Sequence, residues 1–126
     1  MKKLHLIFSH TLTPQQEKDA KESLGVSRIV PLREDLRQRF ANVPPELESL
    51  DEYVRPFVEY LLEVGEPGDF VLIQGEFGLV YRLVEVAKAM GLVPIYATTK
   101  RVVKEEQENG RVIKRSVFEH VRFRRY

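Results

Sequence analysis

Short runs of branched and aromatic residues, alternating with helix-patterned segments, constrain this chain more than any other feature. The runs cover residues 4–8, 28–32, 70–73 and 93–97. Apolar runs of this length are typical of strands that are buried on both faces of a sheet. Strands that are separated by helices need crossover connections, which place helices on both sides of a mostly parallel sheet. The sequence therefore predicts an α/β fold of the doubly wound, Rossmann-like type.

Four helices are predicted between and after these strands. The first begins at Thr13, where Gln16 lies at the spacing of a capping box, and it ends before Gly25. The others are predicted over residues 34–40, 46–64 and 77–90, from apolar residues at three-to-four spacing. Pro56 lies inside the third of these segments and is expected to kink it.

The last quarter of the chain has a different pattern. Residues 101–106 and 111–122 flank Asn109-Gly110, a dipeptide that strongly favours a hairpin turn. We therefore predict one domain over residues 1–126, with an α/β core over 1–99 and a basic antiparallel β-hairpin over 100–126. The hairpin carries nine Lys and Arg against four Asp and Glu, a balance that would attract an anionic ligand or RNA. The same charges are also what a solvated hairpin face would carry.

Composition excludes several classes of site. The chain has no cysteine, so it has neither a disulfide scaffold nor a thiolate metal site. No histidine and carboxylate spacing of a metal enzyme is present, and we expect no metal and no cofactor. Ser9 lacks the Gly-x-Ser-x-Gly setting of a hydrolase. The first apolar run is too short for a secretory signal, so we expect a cytoplasmic protein without a membrane span.

Polar residues follow three of the predicted strands. In an open α/β sheet the carboxyl ends of the strands form the ligand crevice, so we expect these clusters to meet there. Their hydroxyl, imidazole, amide and cationic groups suit phosphate and ribose oxygens, and their glycines allow close approach of a ligand to the backbone. The clusters are Ser9, His10 and Thr11; Gln74, Gly75, Glu76, Phe77 and Gly78; and Thr98, Thr99, Lys100 and Arg101.

Each cluster also has a purely structural interpretation. Ser9 and His10 are compatible with a simple strand end, and a single histidine is more often structural than catalytic. Gly75 and Gly78 are compatible with tight packing between a strand and a helix, since this spacing is not a nucleotide-binding fingerprint. The Tyr96 and Phe77 rings are interpreted as packing rather than as stacking surfaces for a base, although an aromatic ring at the crevice could stack on adenine.

Four segments together resemble the small stand-alone CRISPR-associated proteins of the Csx group, which are related to CARF domains. The segments are LIFSHTLT at residues 6–13, LIQGEFG at 72–78, PIYATTKR at 94–101 and FEHVRFR at 118–124. The resemblance covers nearly the whole chain, and the order of separate blocks makes it more specific than any single motif. It implies a CARF-like fold and a role in type III CRISPR immunity.

The resemblance also implies a ligand and a reaction. Proteins of this kind bind cyclic oligoadenylate, with cyclic tetra-adenylate as the first choice, as homodimers that hold the ligand on the two-fold axis, and no DNA partner is expected. Members of the group look like ring nucleases that open the ring without a metal, by attack of a ribose 2′-OH on the adjacent phosphodiester. On that basis His10 would transfer a proton, Lys100 and Arg101 would neutralise the phosphorane, and Ser9 would hold an oxygen.

The remaining cluster residues would bind the ligand. They are Thr11, Gln74, Gly75, Glu76, Phe77, Gly78, Thr98 and Thr99. Two alternatives stay open. One is a non-catalytic protein that senses or sequesters the messenger, and the other is an RNA-binding module built on the basic hairpin.

Overall fold

The computed structural model describes residues 1–126 as one five-stranded sheet with four helices. The strands lie in the order β2-β1-β3-β4-β5, so the chain enters near one edge and ends at the other. Along the chain the elements are β1 (Lys3–Ile7), α1 (Pro14–Ser23), β2 (Arg28–Val30), α2 (Glu34–Ala41), α3 (Arg55–Val64), β3 (Phe70–Ile73), α4 (Phe77–Ala89), β4 (Val93–Glu108) and β5 (Arg111–Arg125).

The sheet is mostly parallel, as the alternation of strands and helices predicted. The ladders from β2 to β1, β1 to β3 and β3 to β4 are parallel, and only β4 and β5 run antiparallel. One apolar core lies between the sheet and α2, α3 and α4, and a second lies between the other face and α1. The predicted α/β architecture with a C-terminal hairpin is therefore confirmed. None of the helices is long and apolar enough to cross a membrane.

The third helix is shorter than the sequence predicted. It begins at Arg55, and residues 46–54 form turns and loop, so the predicted helix over 46–64 is wrong in its first half. Pro56 therefore lies in the first turn of α3 and does not kink it. A proline fits there because the first N–H groups of a helix have no partner in the helix.

Strand β4 is longer than predicted and has no break after Ala97. It pairs with β5 from Ile95, opposite Arg125, to Glu108, opposite Arg111. The turn between them has positive φ at both Asn109 (52°) and Gly110 (76°), as the dipeptide predicted. The strand end predicted at Ala97 is therefore wrong, because residues 98–101 lie in the middle of a continuous strand.

The hairpin extends well beyond the body of the protein. The ladder between β3 and β4 ends at Ile95, and no residue from 99 to 120 is buried. We call residues 99–120 the arm. At about 3.3 Å per residue, its ten residues of β4 extend about 33 Å. At its base the register shifts, since Thr98 pairs with Arg122 but Thr99 pairs with His120. Val121 is therefore the extra residue of a bulge in β5.

A buried hydrogen bond between side chains joins β1 to the start of β3. His5 and Asp69 are 1% and 2% exposed, and His5 Nε2 donates to Asp69 Oδ2 at 2.8 Å. The backbone N–H groups of Lys3 and Glu66 donate to the same carboxylate. Burial acts to raise the pKa of Asp69, but the hydrogen bonds from His5, Lys3 and Glu66 outweigh it and hold that pKa below its ordinary value. The Asp69 carboxylate is therefore held in its ionised form by three hydrogen bonds in the core.

Candidate functional site

Two adjoining cavities lie where the parallel strands end, and Gly75 contributes to both. The first has a volume of about 450 Å³ and is mostly apolar; we call it the aromatic pocket. The second has a volume of about 210 Å³ and is called here the serine pocket. The aromatic pocket is lined by Gln74, Gly75, Phe77, Val80, Tyr81, Val84, Tyr96 and Tyr126, and the serine pocket by Ser9, Phe40, Ala41, Val43, Gly75 and Glu76.

Two tyrosines from the hairpin form one wall of the aromatic pocket. The rings of Tyr96 and Tyr126 lie 4.9 Å apart, centroid to centroid. The Tyr126 hydroxyl donates to the Ile73 carbonyl, and the Tyr126 N–H donates to the Pro94 carbonyl at 3.2 Å. Burial raises the pKa of Tyr126, with a smaller contribution from Tyr96, so its hydroxyl stays a neutral donor. The C-terminal residue thus ties the end of β5 to the end of β3.

Arg124 places a cation beside this wall. Its Nη1 donates to the Tyr96 hydroxyl at 3.0 Å, and its guanidinium lies 5.6 Å from the centre of the Tyr96 ring. Arg124 is exposed and pairs with no carboxylate. An unpaired guanidinium next to an aromatic pocket can bind a phosphate with two parallel hydrogen bonds.

Helix α4 supplies the opposite wall. Phe77 in its first turn is 93% exposed, and Tyr81, one turn later, is 68% exposed. Neither ring is paired with another aromatic ring of the chain. Exposed large apolar side chains that cluster at a cavity mark a site for an apolar or aromatic ligand.

Gln74 contributes a polar group to the floor of the aromatic pocket. Its Oε1 accepts the Ala97 N–H at 2.7 Å. Because the Ala97 N–H is a donor, the amide must turn its oxygen toward β4, which leaves Nε2 as a donor at the pocket. This bond also links β3 to β4 beyond Ile95, where the backbone pairing of the two strands ends.

Glu76 has a structural role that the sequence did not predict. Its carboxylate caps α4, with Oε1 accepting the Gly78 N–H at 3.0 Å and Oε2 accepting the Leu79 N–H at 2.9 Å. The N-terminus of α4 is therefore already occupied by a negative charge. The Gly78 N–H, one of the backbone donors expected to meet a ligand, is bonded to the protein's own carboxylate in this structure.

The two glycines of this loop permit close packing. A Cβ at Gly75 would lie 2.4 Å from Cε2 of the buried Phe40 ring, and one at Gly78 would lie 3.2 Å from a Leu50 methyl. The structural interpretation of Gly75 is therefore confirmed, since no side chain fits without moving the core.

The first predicted cluster is only partly brought to the site. Ser9 lines the serine pocket beside Gly75 and Glu76, and its carbonyl accepts Arg37 Nη2 at 3.3 Å. His10 is exposed next to it, with its ring 5.2 Å from that of Phe8. His10 and Thr11 line neither pocket. The structure therefore places Ser9 at the crevice, and His10 is exposed to solvent outside both cavities.

The threonines of the third cluster have different surroundings. The Thr98 hydroxyl donates to the Arg122 carbonyl at 2.8 Å and accepts the Arg122 N–H at 3.2 Å, which closes the bulge. Thr98 is thus used by the fold. Thr99 is exposed and lies on the opposite face of β4.

The two cations of the third cluster do not line the pockets. Tyr96 and Lys100 share a face of β4, but four residues of strand separate them by about 13 Å. Arg101 lies on the opposite face, where its Nε donates to Ser116 Oγ at 2.9 Å. Within one chain, the structure brings Ser9, Gln74, Gly75, Glu76 and Phe77 together but leaves Lys100 and Arg101 on the arm.

The strongest features of the site are ones that the sequence did not single out. Tyr81, Arg124 and Tyr126 were not predicted to be functional, and Tyr96 was interpreted as packing. A regular register counted from the Asn109-Gly110 turn would place Phe123 opposite Tyr96, and the bulge at Val121 shifts that partner to Arg124. The sequence gives no signal for this bulge, so the contact could not be predicted.

The fold and the site together define a small α/β protein with a cavity at the carboxyl edge of a mostly parallel sheet. The chain belongs to the Uncharacterized protein MJ1673 family, whose model matches residues 2–124. It is 41% identical over 126 residues to "Uncharacterized protein MJ1673" of Methanocaldococcus jannaschii, an alignment that covers 100% of this chain and 98% of that protein. No solved structure matches the chain.

Proposed function

We propose that this protein binds a cyclic oligoadenylate, with cyclic tetra-adenylate as the first choice, and opens the ring without a metal. The observation that carries the proposal is the aromatic pocket at the carboxyl edge, with an unpaired arginine beside it. A pocket of this volume with flat apolar walls and few polar groups suits a planar base. The resemblance to CARF-related proteins supplies the particular ligand, and with it a role in ending a type III CRISPR signal.

Base recognition is assigned to the aromatic pocket. Phe77 and Tyr81 from α4 face Tyr96 and Tyr126 from the hairpin across one cavity. Stacking of a base on such rings contributes about 1–3 kcal/mol and needs no particular base. Selectivity for adenine would come from the Gln74 amide, because an amide can pair with the hydrogen-bonding edge of adenine.

Phosphate recognition is assigned first to Arg124. Its guanidinium contacts the Tyr96 hydroxyl, so a nucleotide whose base enters the pocket carries its phosphate past it. Lys100 lies on the same face and farther along the arm, within range only of a ligand larger than one nucleotide. Binding as a homodimer with the ring on the two-fold axis remains part of the proposal.

Ring opening requires geometry rather than a protein nucleophile. The ribose 2′-oxygen attacks phosphorus, its proton passes to a base, and the bond from phosphorus to the 5′-oxygen breaks as that oxygen takes up a proton. The products are a 2′,3′-cyclic phosphate and a 5′-hydroxyl. Arg124 would stabilise charge on the phosphorane. His10, which follows Ser9 and is exposed outside both cavities, is the residue we assign to proton transfer.

A non-catalytic binder of the same messenger is the second candidate. It is favoured by the position of two predicted catalytic residues, since Lys100 and Arg101 lie on the arm and line neither pocket. A basic groove of about 690 Å³ at the base of the hairpin, which includes Lys2, Arg122, Arg124 and Arg125, favours the RNA-binding alternative. Steep salt dependence of linear RNA binding would identify that alternative.

The Phe77→Ala variant tests the assigned base pocket. Because Phe77 is 93% exposed, its removal leaves the melting temperature unchanged, yet it deletes one stacking surface. We expect the dissociation constant for cyclic tetra-adenylate to rise about 5- to 150-fold, equivalent to 1–3 kcal/mol. Isothermal titration calorimetry on the full chain measures it. Leu62→Ala is the control, since Leu62 is 66% exposed on α3 and lies outside the pocket. Equal affinities for the two variants would refute the assignment.

A further inference from the structure

The arm has a free edge along β4. Strand β3 pairs with β4 only as far as Ile95, and beyond Thr98 no strand lies on that side. An isolated two-stranded ribbon is marginally stable in water, whereas a third or fourth strand makes such a sheet stable. An edge with unpaired N–H and C=O groups is also a template for another strand. The arm therefore needs a partner strand more than any other part of the molecule.

The direction of the backbone groups identifies which residues face this edge. The Ala97 N–H points away from β5, because it donates to Gln74 on the β3 side. The Pro94 carbonyl points toward β5, because it accepts the Tyr126 N–H. Backbone groups alternate along a strand, and the bulge lies in β5 and not in β4. The odd-numbered residues of β4, including Arg101, Val103 and Glu105, therefore present their N–H and C=O groups to the free edge.

The charges along this edge are self-complementary. Lys100 and Arg101 lie on one side of Val103, and Glu105 and Glu106 lie at the mirrored distances on the other side. When two such strands run antiparallel about a two-fold axis at Val103, Arg101 lies opposite Glu105 of the second copy. Lys100 then lies opposite Glu106 of the second copy, and the two valines meet on the axis.

We propose that a second copy of this chain docks along the free edge of β4, with Val103 opposite Val103 on the two-fold axis. The two arms then form one four-stranded antiparallel ribbon in the order β5-β4-β4-β5. In this register Arg101 and Glu105 are hydrogen-bonded partners whose N–H groups both face the edge, so backbone direction and side-chain charge select the same alignment.

The neighbouring two-fold registers are less favourable. An axis at Val102 places Lys100 opposite Lys104, and an axis at Lys104 places that lysine opposite itself. Like charges directly opposite destabilise a strand pair. The charges of the edge thus act against slippage as well as for pairing.

This interface gives a definite surface to the homodimer of the proposed function. In this register Thr98 lies opposite Glu108 of the second copy, so the hairpin turn of that copy, at Asn109 and Gly110, comes next to the aromatic pocket. The second copy would therefore complete the outer side of the crevice. The interface is tested without ligand, so its failure would leave binding at the pocket to be judged separately.

A single cysteine tests the alignment directly, because the chain has none of its own. In Val103→Cys, the two substituted positions lie about 5.5 Å apart, Cα to Cα, which a disulfide can span. Ser116→Cys is the matched control, since Ser116 lies opposite Val103 on the other strand of the ribbon. Two copies of that position would be separated by three strand spacings, about 14 Å, beyond the reach of a disulfide.

We expect Val103→Cys to give a covalent dimer on mild oxidation of the dilute full chain, with Ser116→Cys remaining at least tenfold slower on a non-reducing gel. Equal rates for both variants, or no covalent dimer for Val103→Cys, would overturn the proposal. Two proline variants give an independent test, in which sedimentation velocity measures the oligomeric state. Val103→Pro removes an N–H that faces the second copy and is expected to be monomeric, whereas Ser116→Pro removes one on the outer edge and is expected to stay dimeric. The reverse result would also overturn it.

Discussion

The Arg124→Ala variant is expected to open cyclic tetra-adenylate about 10²- to 10³-fold more slowly than the wild type, with a smaller loss of affinity. The reason is that the guanidinium beside Tyr96 would bind the phosphorane, in which negative charge develops during the reaction. Single-turnover kinetics measures the rate of opening, and calorimetry measures the affinity. Arg124→Lys keeps the charge but loses the planar fork, so we expect an intermediate rate.

Arg125→Ala is the matched control for this prediction. It removes the same charge from the next residue, which pairs with Ile95. Both arginines line the basic groove, but the hydrogen bond to the Tyr96 hydroxyl is made by Arg124. We expect nearly wild-type opening for Arg125→Ala. If the two variants lost activity equally, the basic charge of the hairpin as a whole would explain the effect, and the assignment to Arg124 would fail.

The Asp69→Ala variant is expected to lose about 3–5 kcal/mol of folding free energy. The change leaves the buried His5 ring and the N–H groups of Lys3 and Glu66 without their acceptor. For a chain of this length the melting temperature would fall by roughly 10–20 °C. Asp51→Ala is the control, because Asp51 forms an exposed ion pair with Arg82, and we expect a loss of at most about 1 kcal/mol. Similar losses for the two variants would contradict a special role for the buried pair.

The same carboxylate predicts how stability depends on pH. The pKa of Asp69 in the folded protein is lower than its ordinary value of 3.8, so ionised Asp69 stabilises the fold at any pH above that value. As pH falls through the folded pKa the carboxylate takes up a proton and this contribution is lost. Urea unfolding at a series of pH values is expected to show a constant difference between wild type and Asp69→Ala above about pH 5, narrowing in acid.

Local signals predicted the elements that depend on local chemistry. Thr13 and Gln16 cap α1 as expected, with the reciprocal hydrogen bonds of a capping box. The run over residues 70–73 is a strand with every residue buried. Asn109 and Gly110 form the hairpin turn. In each case neighbouring residues determine the structure, so their pattern is sufficient.

The wrong predictions of secondary structure fall where contacts with distant parts of the chain determine the structure. Residues 98–101 have the polar composition of a loop, but β5 supplies partners along the whole of β4 and keeps it extended. The apolar residues of 46–54 have helical spacing, yet the helix begins only at Arg55, with Pro56 in its first turn. Spacing alone does not show where a helix begins.

The two pockets lie at the edge of the sheet where the sequence predicted a site, but several of their lining residues were not predicted. The rule that ligands bind at the carboxyl ends of parallel strands placed Ser9, Gln74 and Gly75 at the two pockets. The contacts of Tyr126 with Ile73 and of Arg124 with Tyr96 join residues that are far apart in sequence. No local sequence pattern predicts such contacts. They hold the hairpin wall of the aromatic pocket, which the proposed ligand would contact.

The most direct measurement is incubation of the full-length protein with cyclic tetra-adenylate in the presence of EDTA, followed by separation and mass analysis of the products. We expect linear oligoadenylate with 2′,3′-cyclic phosphate and 5′-hydroxyl ends. Tight binding with the ring still intact after hours would show a binder rather than a nuclease. A ring that is neither bound nor opened would contradict the assignment of the aromatic pocket to a cyclic oligoadenylate altogether.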